Sequence, residues 1–488
     1  MTNIHKAVEP ALYPPSMYAN SPDKHFWQVD GMASVNVKDL FPTVTPAIYN
    51  YGDDLKIIEE ATRKSLENVD MSMIKPMDRI NITASEHGFG IMGGWPYLVM
   101  LKTIKNVIEE RTGNYRSRVI LAMYRLPQES VEVKKYYDME NYLGCEVIGT
   151  CPFDDGVEIE TEVGKFYGNK LVYDCDWMVY AYYDDPREQY LHRCVNRLFK
   201  SFVMNFGRVE TRCSFHMMSS SWNNSIISQA IYDSEFVQKR WTFACIMNSS
   251  PAGIRGIYAS NDLYECEKET EVHLMKDYTF VRLMFKDLDP WIAVWDGGKW
   301  GSYLHTAGMI YGCCSSAGTD YFDMEVPWSL ASEKAQCECD GKSLANKGRD
   351  YVKSLKGIIM NQCWTGLLQM RDVNTFPVYC VGEELLNNFR NDRVNQGFAP
   401  GQGFADKVHA LVPTLEDAIS MATKELDCQN VIAFDGSYDV INCSPSAAED
   451  LIKKAQGVED ETYAVHLPKY LKQRGFDVAQ VYRDYYHR

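Results

Sequence analysis

The stretch RINITASEHGFGIMGGWPYLVMLKTIKNVIEER, residues 79–111, decides the expected fold. Its first six residues carry isoleucine and threonine in a compact run, which predicts a strand. A glycine-rich loop follows, and apolar residues then recur at helical spacing from about Pro96 to Arg111. A strand that passes through a glycine loop into a helix opens a βαβ unit. We therefore expect a parallel sheet covered by helices.

The alternation of strands and helices continues to about residue 270. Its predicted elements are a helix around Asp54–Asn68, strand SRVILAMY (117–124), a helix near Gln128–Tyr142, a strand over Glu146–Gly149, a β excursion over 154–174 and strand DWMVYAYY (176–183). Parallel strands need such crossover helices, so we expect one doubly wound domain over residues 78–270. Residues 1–77 are expected to form an irregular arm with one helix that packs on this domain.

A second alternating unit begins near Tyr278. Its predicted elements are strand PWIAVWDGG (290–298), helix KSLANKGRDYVKSLKGIIM (342–360), strand FPVYCV (376–381), helix TLEDAISMATKEL (414–426) and strand NVIAFDG (430–436). The charged stretch ECEKETEVH (265–273) marks the expected boundary, so the second domain covers residues 271–488. The sequence thus predicts an α/β protein of two doubly wound, mainly parallel-sheet domains, with the active site in the cleft between them.

Charge and composition narrow the class of partner. The 488 residues include 50 Lys and Arg and 66 Asp and Glu, which gives a net charge of −16. So acidic a surface disfavours nucleic acid and anionic membranes, but it allows a local basic pocket for an anionic small molecule. The start of the chain is polar and proline-broken, and no apolar run is long enough to span a bilayer. We therefore expect a cytoplasmic protein whose aromatic-rich segments can form a homo-oligomer surface.

The cysteine pattern favours free thiols. The 15 cysteines are scattered and form no CxxC pair, and in a reducing compartment such thiols stay unpaired. The stretch from Cys313 and Cys314 to Cys337 and Cys339 leaves two interpretations open, packing and a second metal site.

The glycine loop after the first strand is a candidate phosphate site. Gly88, Gly90 and the glycine at 93 match GxGxxG, which brings backbone N–H groups and a helix N-terminus to a phosphate. A nicotinamide site also needs an acid at the end of the second strand, which instead ends in Tyr124 and Arg125. A plain glycine turn, a phosphate of another nucleotide and NAD therefore stay open. His87 at the loop mouth is either a titrating group or a solvated loop histidine.

The residues that follow strand 176–183 form a second candidate site. Residues 186–192, which include Arg187 and His192, stand where open α/β sheets collect catalytic residues, although their composition also fits a charged surface turn. Lys200 lies in the apolar run NRLFKSFVMNFGR (196–208), where a desolvated lysine can serve as a nucleophile or attachment point and a helix-surface lysine can snorkel. His216 alone is typical of a core or surface histidine.

Together these pieces resemble the lactate-racemase-like family over roughly residues 78–310. The family signature is a lysine followed sixteen residues later by a histidine, here Lys200 and His216. Gly207 and the apolar run around the lysine also fit the family pattern. The segment Leu288–Lys299 is similar to the strand and glycine-lysine turn that opens the family's second domain.

The resemblance implies a cofactor and a reaction. It implies a nickel-pincer nucleotide attached covalently to Lys200, with His216 as a nickel ligand. It further implies hydride transfer from the carbon of a 2-hydroxy acid, with two histidines as alternate bases. The two family base positions hold Tyr124 and Arg187 in this chain. Arginine is never a practical base in a protein, and tyrosine is a weak one.

Because Tyr124 and Arg187 occupy the two family base positions, we assign the catalytic and binding roles as follows. Proton handling is expected at His192, His87 and Tyr124. Anion binding is expected at Arg187 and Lys299 for the substrate, and cofactor binding at Lys200, His216, Gly88, Gly90 and Arg125.

Three hypotheses follow from these assignments. The leading one is an isomerase of the racemase or epimerase type that acts on a 2-hydroxy acid or sugar acid. The second is a non-catalytic relative that binds a small molecule or nucleotide as a sensor or carrier, which the changed base positions favour. The third is a nicotinamide oxidoreductase built on the glycine loop.

Overall fold

A computed structural model describes most of the chain. The described residues are 3–10, 19–50, 52, 54–85, 89, 94–122, 127–184, 197–218, 225–298, 304–306, 308–315, 317–318, 320, 322–325, 352–364, 373–391 and 403–488. They form two compact units. The middle unit comprises residues 47–249 and 254–271, and the terminal unit comprises residues 1–46, 250–253 and 272–488.

Strands alternate with helices of varied length along most of the described chain. The strands are β1 Ile4–Lys6, β2 Ala33–Asn36, β3 Ile80–Ser85, β4 Ser117–Ala122, β5 Val147–Thr150, β6 Gly156–Thr161, β7 Gly164–Asn169, β8 Trp177–Asp184, β9 Trp241–Ser250, β10 Gly253–Ser260, β11 Trp291–Asp296, β12 His305–Thr306, β13 Met309–Ile310, β14 Leu355–Gln362, β15 Val378–Val381, β16 Ala410–Val412, β17 Asn430–Phe434 and β18 Val440–Cys443. The α-helices are Val37–Leu40, Lys56–Leu66, Gly94–Thr112, Pro127–Tyr136, Met139–Leu143, Lys170–Tyr173, Val209–Met218, Ile226–Asp233, Glu235–Gln238, Leu263–Lys286, Tyr311–Ser315, Glu383–Asn391, Leu415–Glu425, Pro445–Ala455, Val458–Glu461, Leu467–Gln473 and Val478–Asp484. The described residues also form the 3₁₀ turns Phe26–Gln28 and Phe199–Phe202 and the π turn Thr462–His466.

The middle unit is built on a six-stranded sheet in the order β10-β9-β8-β3-β4-β5. The neighbours from β9 to β5 are parallel. From β3 the chain adds β4 and β5 on one side, then returns to add β8 and β9 on the other. The direction of winding therefore reverses between β3 and β8. The strands are almost wholly buried, as expected of a parallel sheet with helices on its faces.

The terminal unit is built on an eight-stranded sheet in the order β1-β2-β18-β17-β11-β14-β15-β16. The five strands from β17 to β16 are parallel, whereas β1, β2 and β18 pair antiparallel. From β11 the chain adds β14, β15 and β16 on one side, and β17 returns to the other side of β11. This sheet therefore reverses its winding between β11 and β17.

The predicted α/β class is confirmed, and most predicted strands and helices occur within a few residues of their expected bounds. The helix predicted over 342–360 is wrong at its end, because residues 355–362 form the buried parallel strand β14. A short apolar run has no periodicity that separates a strand from a helix. A β carbon at Gly357 in that strand would lie 2.6 Å from Cδ1 of Leu426, which shows how closely a neighbouring side chain packs on it.

Two further differences concern the ends of the predicted domains. Residues 1–46 belong to the terminal unit, where β1 and β2 extend the eight-stranded sheet, whereas the sequence placed residues 1–77 on the first domain. These two strands are short, and β2 pairs with β18, about 400 residues away in sequence, which no local pattern reveals. The division between the two units falls after Glu271, next to the boundary expected in the charged stretch, but it lies within the helix Leu263–Lys286.

Within the described part of the chain, no helix combines the length and the apolarity that a membrane crossing requires.

Candidate active site

The carboxyl ends of three neighbouring strands define one edge of the middle unit, which we call the middle edge. β3 ends at Ser85 and β4 at Ala122, and these two residues are register partners. β8 ends at Asp184, whose side chain is fully buried. Doubly wound sheets bind ligands outside the carboxyl ends at the reversal of winding, which here lies between β3 and β8. The fold thus points to the middle edge as the candidate site.

Most of the predicted site residues follow these strand ends in sequence. Eight of them lie outside the described residues: His87, Gly88, Gly90, Tyr124, Arg125, Arg187, His192 and Lys299. Lys200 is described in full, and the backbone of His216 is described within the helix Val209–Met218. The segment around Lys200 is therefore the part of the predicted site that the structure describes most fully.

Hydrogen bonds tie the segment 197–206 to the middle edge. The backbone N–H of Arg197 donates to Oδ1 of Asp184 at 3.4 Å, at the end of β8. Nδ2 of Asn205 donates to the carbonyl oxygen of Ala122 at 3.1 Å, at the end of β4. Lys200 lies between these two ties in the chain. Its 3₁₀ turn is thus held against the carboxyl ends of two strands of one sheet.

Tyr180 of β8 forms hydrogen bonds with residues on both sides of Lys200, at the start of its 3₁₀ turn and within it. Its hydroxyl oxygen lies 2.9 Å from the carbonyl oxygen of Leu198 and 2.7 Å from Oγ of Ser201. Burial raises the pKa of this hydroxyl well above its ordinary value, so Tyr180 stays neutral and serves as a fixed hydrogen-bonding group. The residues on both sides of Lys200 are buried, whereas Lys200 itself is half-buried.

The side chain of Lys200 points toward the helix that carries His216. Nζ of Lys200 lies 5.6 Å from the centroid of the Phe215 ring, within the range of a cation–π attraction. Phe215 is buried and directly precedes His216 in that helix. The amine of Lys200 therefore lies beside the helical turn that contains His216, although the two residues are sixteen positions apart in the sequence.

Gly207 allows the chain to turn from Lys200 into this helix. A β carbon at Gly207 would lie 2.4 Å from the carbonyl oxygen of Val203, a backbone atom that cannot move aside easily. Gly207 also forms an antiparallel bridge with Gly168 of β7. A larger residue at this position would displace either the Lys200 segment or the start of the helix.

A half-buried amine fits the covalent attachment of an organic group, because a reagent can reach it while the neighbouring apolar residues limit its hydration. Phe215 offers an aromatic face beside that amine. The residues present at Lys200 therefore fit the cofactor that the sequence resemblance implies. Among the described residues, no cluster of three or more His, Cys, Asp or Glu side chains could hold a metal ion.

The cysteines that the structure describes are free thiols. Cys314 is fully buried in the terminal unit, whereas Cys337 and Cys339 lie outside the described residues. Packing and a second metal site thus both stay open for that stretch.

Sequence reasoning missed the groups that hold the site together. Asp184, Tyr180 and Asn205 are buried polar residues, each of which fixes a part of the Lys200 segment. The acid at the end of β8 follows a long buried strand, and this position alone could have singled it out. Asn205 carried no such signal, because its partner is a backbone carbonyl far away in sequence.

Comparison with known proteins finds similarity to solved structures. No protein-family model matches the chain, and no curated protein matches it. Among solved structures the chain is similar to the lactate racemase apoprotein from Thermoanaerobacterium thermosaccharolyticum, with a TM-score of 0.39 and 14% sequence identity. The match covers 78% of this chain and 92% of that chain.

Proposed function

We propose that the protein is an isomerase of the racemase or epimerase type that acts on a 2-hydroxy acid or sugar acid. The observation that carries the proposal is the position of Lys200. Its segment is tied to the ends of β8 and β4, the two strands that flank β3, and its amine lies beside Phe215, which directly precedes His216. The spacing of these two residues is the family signature that the sequence contains.

In this proposal Lys200 holds a nickel-pincer nucleotide and His216 provides a further ligand to its nickel. When bound, this group supplies a hydride acceptor for the carbon that carries the substrate hydroxyl. The apolar residues around Lys200 restrict water near that carbon. Phe215 lines the same place and limits the positions that an attached ring can take.

Proton transfer and anion binding are assigned to residues that follow strand ends in sequence, all of them at the middle edge except Lys299, which follows β11. His192, His87 and Tyr124 handle the hydroxyl proton, and imidazole suits this role because it titrates near neutral pH. Arg187 and Lys299 bind the carboxylate of the substrate, and Arg125, Gly88 and Gly90 bind the nucleotide phosphate.

The test is the interconversion of enantiomers or epimers by protein made together with the enzymes that assemble the cofactor. Chiral chromatography of a panel of 2-hydroxy acids and sugar acids would follow the reaction. We expect one member of the panel to racemise or epimerise with the loaded protein and none with protein made without the assembly enzymes. Absence of conversion across the panel by nickel-loaded protein would contradict the proposal.

The alternative is a non-catalytic relative that binds a small molecule or nucleotide. It is favoured by Tyr124 and Arg187, which stand where the family carries its bases. Calorimetric titration of the same acids separates the two functions. Saturable binding without conversion supports a sensor or carrier, whereas binding with conversion supports the isomerase.

A further inference from the structure

A groove runs along the open edge of the six-stranded sheet in the middle unit. β10 stands at the end of the strand order, so among the described residues its one neighbouring strand in the sheet is β9. The groove has a volume of about 830 Å³ and is lined by residues between 48 and 69 and between 256 and 265. All of these residues belong to the middle unit.

The two walls of the groove are the edge of a strand and one face of a helix. Every residue from Gly256 to Asp262 lines it. Successive side chains of a strand point to opposite faces of the sheet, so an unbroken run of lining residues means that the groove follows the edge of the strand. Ala61, Lys64 and Ser65 form the opposite wall and share one face of the helix Lys56–Leu66.

The chain closes this groove at both ends. At the first end the backbone N–H of Ile254 donates to the carbonyl oxygen of Tyr49 at 2.7 Å. At the second end the backbone N–H of Asp70 donates to Oδ1 of Asn261, and Nδ2 of Asn261 donates back to the carbonyl oxygen of Asp70, each at 2.9 Å. Residues 255–260 lie between these closures and span roughly 20 Å of strand. An extended segment of similar length fits beside them.

The backbone of Gly256 faces the groove. Ile254 directs its N–H and its C=O to Tyr49, away from β9. Backbone groups alternate between the two edges of a strand, so Gly256 directs its N–H and C=O to the same side as Ile254. Among the described residues, the N–H of Gly256 has no partner on this side.

Packing does not explain a glycine at position 256. A β carbon at Gly256 would meet no atom within 4 Å. A glycine inside a strand is typical of a place where another backbone approaches closely. The open edge therefore offers both a free amide and the room for a second strand.

The charged side chains of the groove indicate which strand it accepts. Asp262 and Glu265 are exposed at the end that Asn261 closes, and Oε2 of Glu265 accepts from Oγ of Ser260 at 2.6 Å. Two carboxylates at one end of a groove attract a basic side chain. Lys64 is exposed on the helix wall, where its amine can meet a carbonyl oxygen or an acidic side chain.

We propose that this groove binds an extended peptide segment of another protein, which adds a strand to the open edge of β10 and places a lysine or arginine beside Asp262 and Glu265. The N–H of Gly256 donates to a peptide carbonyl oxygen, and its C=O accepts from a peptide N–H. Alternate side chains of the peptide contact the half-buried apolar residues Ile48 and Ile257. Main-chain bonds then provide affinity, and the side-chain contacts provide specificity. This binding function does not depend on the function proposed for the middle edge.

The test follows the amide of Gly256 in the full chain labelled with ¹⁵N-glycine. The chain has 32 glycines, and Gly256→Ala, for which the structure has room, identifies the resonance of Gly256. The control amide is that of Gly382 in the terminal unit, which donates to the carbonyl oxygen of Val412 at 2.9 Å.

The probes are three peptides with acetylated and amidated ends. The first is Lys-Val-Thr-Val-Lys, and the second replaces both lysines with glutamate. The third is the lysine peptide with every backbone amide methylated, so that it keeps its charges but cannot pair as a strand. Each sequence is palindromic, so a charged residue reaches Asp262 in either strand direction.

We expect the lysine peptide to shift the Gly256 resonance saturably, with a Kd of about 1 mM or tighter, and to slow the hydrogen exchange of this amide. Gly382 should not change. The methylated peptide should leave Gly256 unchanged, and the glutamate peptide should bind about 3-fold more weakly or not at all. Asp262→Asn should weaken the lysine peptide by about 2–5-fold, whereas Asp287→Asn, at an exposed acid of the terminal unit, should have no effect.

Three results would overturn the proposal. In the first, none of the peptides shifts Gly256, or the methylated peptide shifts it as strongly as its parent does. In the second, the glutamate peptide binds as tightly as the lysine peptide. In the third, the Gly256 amide is protected from exchange without peptide in a chain that sediments as a dimer, which would assign the open edge to a second copy of the chain.

Discussion

At the middle edge the described residues include the cations Lys200 and Arg197 and one buried acid, Asp184. At the carboxyl ends of β11 and β17 in the terminal unit, which we call the terminal edge, they include Asp296, Asp435 and His25, whose Nδ1 lies 3.0 Å from Oδ1 of Asp296. Both edges are the carboxyl ends of doubly wound sheets at a reversal of winding. The two edges thus have the same strand topology, but the charged side chains at the strand ends differ between them. A fold of this kind fixes where a ligand sits, and the side chains at the strand ends decide which ligand that is.

The largest expected effect is the loss of the attachment point at the middle edge. Lys200→Arg keeps the positive charge but cannot carry the nucleotide, so conversion of the hydroxy acid should fall to the uncatalysed background. The matched control is Lys239→Arg, which alters an exposed lysine paired with Glu235 at 2.5 Å and should leave turnover unchanged. Chiral chromatography of both variants checks the result, and retained turnover in Lys200→Arg would remove Lys200 from the mechanism.

The next effect concerns proton transfer. His192→Ala should lower the rate by about 10²–10⁴, the usual contribution of a general acid or base. His5→Ala is the control, since His5 is largely exposed in the terminal unit. Initial rates across pH measure the change. If His192→Ala keeps both its rate and its pH profile, the proton handler is His87 or Tyr124.

The terminal edge predicts a dependence of stability on pH. The folded pKa of Asp435 is about 6 against an ordinary value of 3.8, so the folded state holds its proton more tightly. Stability should therefore fall as pH rises from about 4 to about 6, by about 3 kcal/mol, relative to Asp435→Asn. The raised pKa of His25 acts in the same direction, because its contribution is full below its ordinary value of 6.5 and is lost as pH rises through the folded pKa.

Urea denaturation of wild type and Asp435→Asn at about pH 4 and about pH 7 measures this difference. Ser437 donates to Oδ1 of Asp435 and Asn442 to Oδ2, so asparagine keeps an acceptor for only one of them. The variant therefore loses some stability at both pH values, but it does not titrate, and the test is the change in the difference with pH. A constant difference between the two proteins at both pH values would show that Asp435 titrates normally.

The smallest expected effect is the loss of stability caused by a larger side chain at Gly207. Gly207→Ala should destabilise the middle unit by about 1–3 kcal/mol, because the added carbon meets the backbone oxygen of Val203. Gly256→Ala is the control, since a β carbon there meets no atom within 4 Å. Thermal unfolding compares the two variants. Equal melting temperatures would mean that the turn after Lys200 relaxes without strain.

The sequence predicted the strands and helices of the two sheets better than the contacts that form the candidate site. Buried parallel strands such as Trp177–Asp184 are long apolar runs, and their alternation with amphipathic helices identifies an α/β protein. Lys200 and His216 were found through spacing, and the structure adds that the lysine amine lies beside the helix of the histidine.

The terminal edge escaped prediction for a physical reason. His25 and Asp296 are 271 residues apart, and only the sheet brings them together. The short strands β1 and β2 gave no periodic signal, so the region around His25 looked like an irregular arm. Local patterns predict elements, but pairings between distant elements depend on the whole core.

The most direct test of the central claim is the mass of the peptide that contains Lys200, from protein made with the cofactor-assembly enzymes, together with the nickel content of the intact protein. We predict an added mass on Lys200 and on no other lysine, with nickel bound in equal proportion. An unmodified Lys200 in protein that contains no nickel under these conditions would contradict the account.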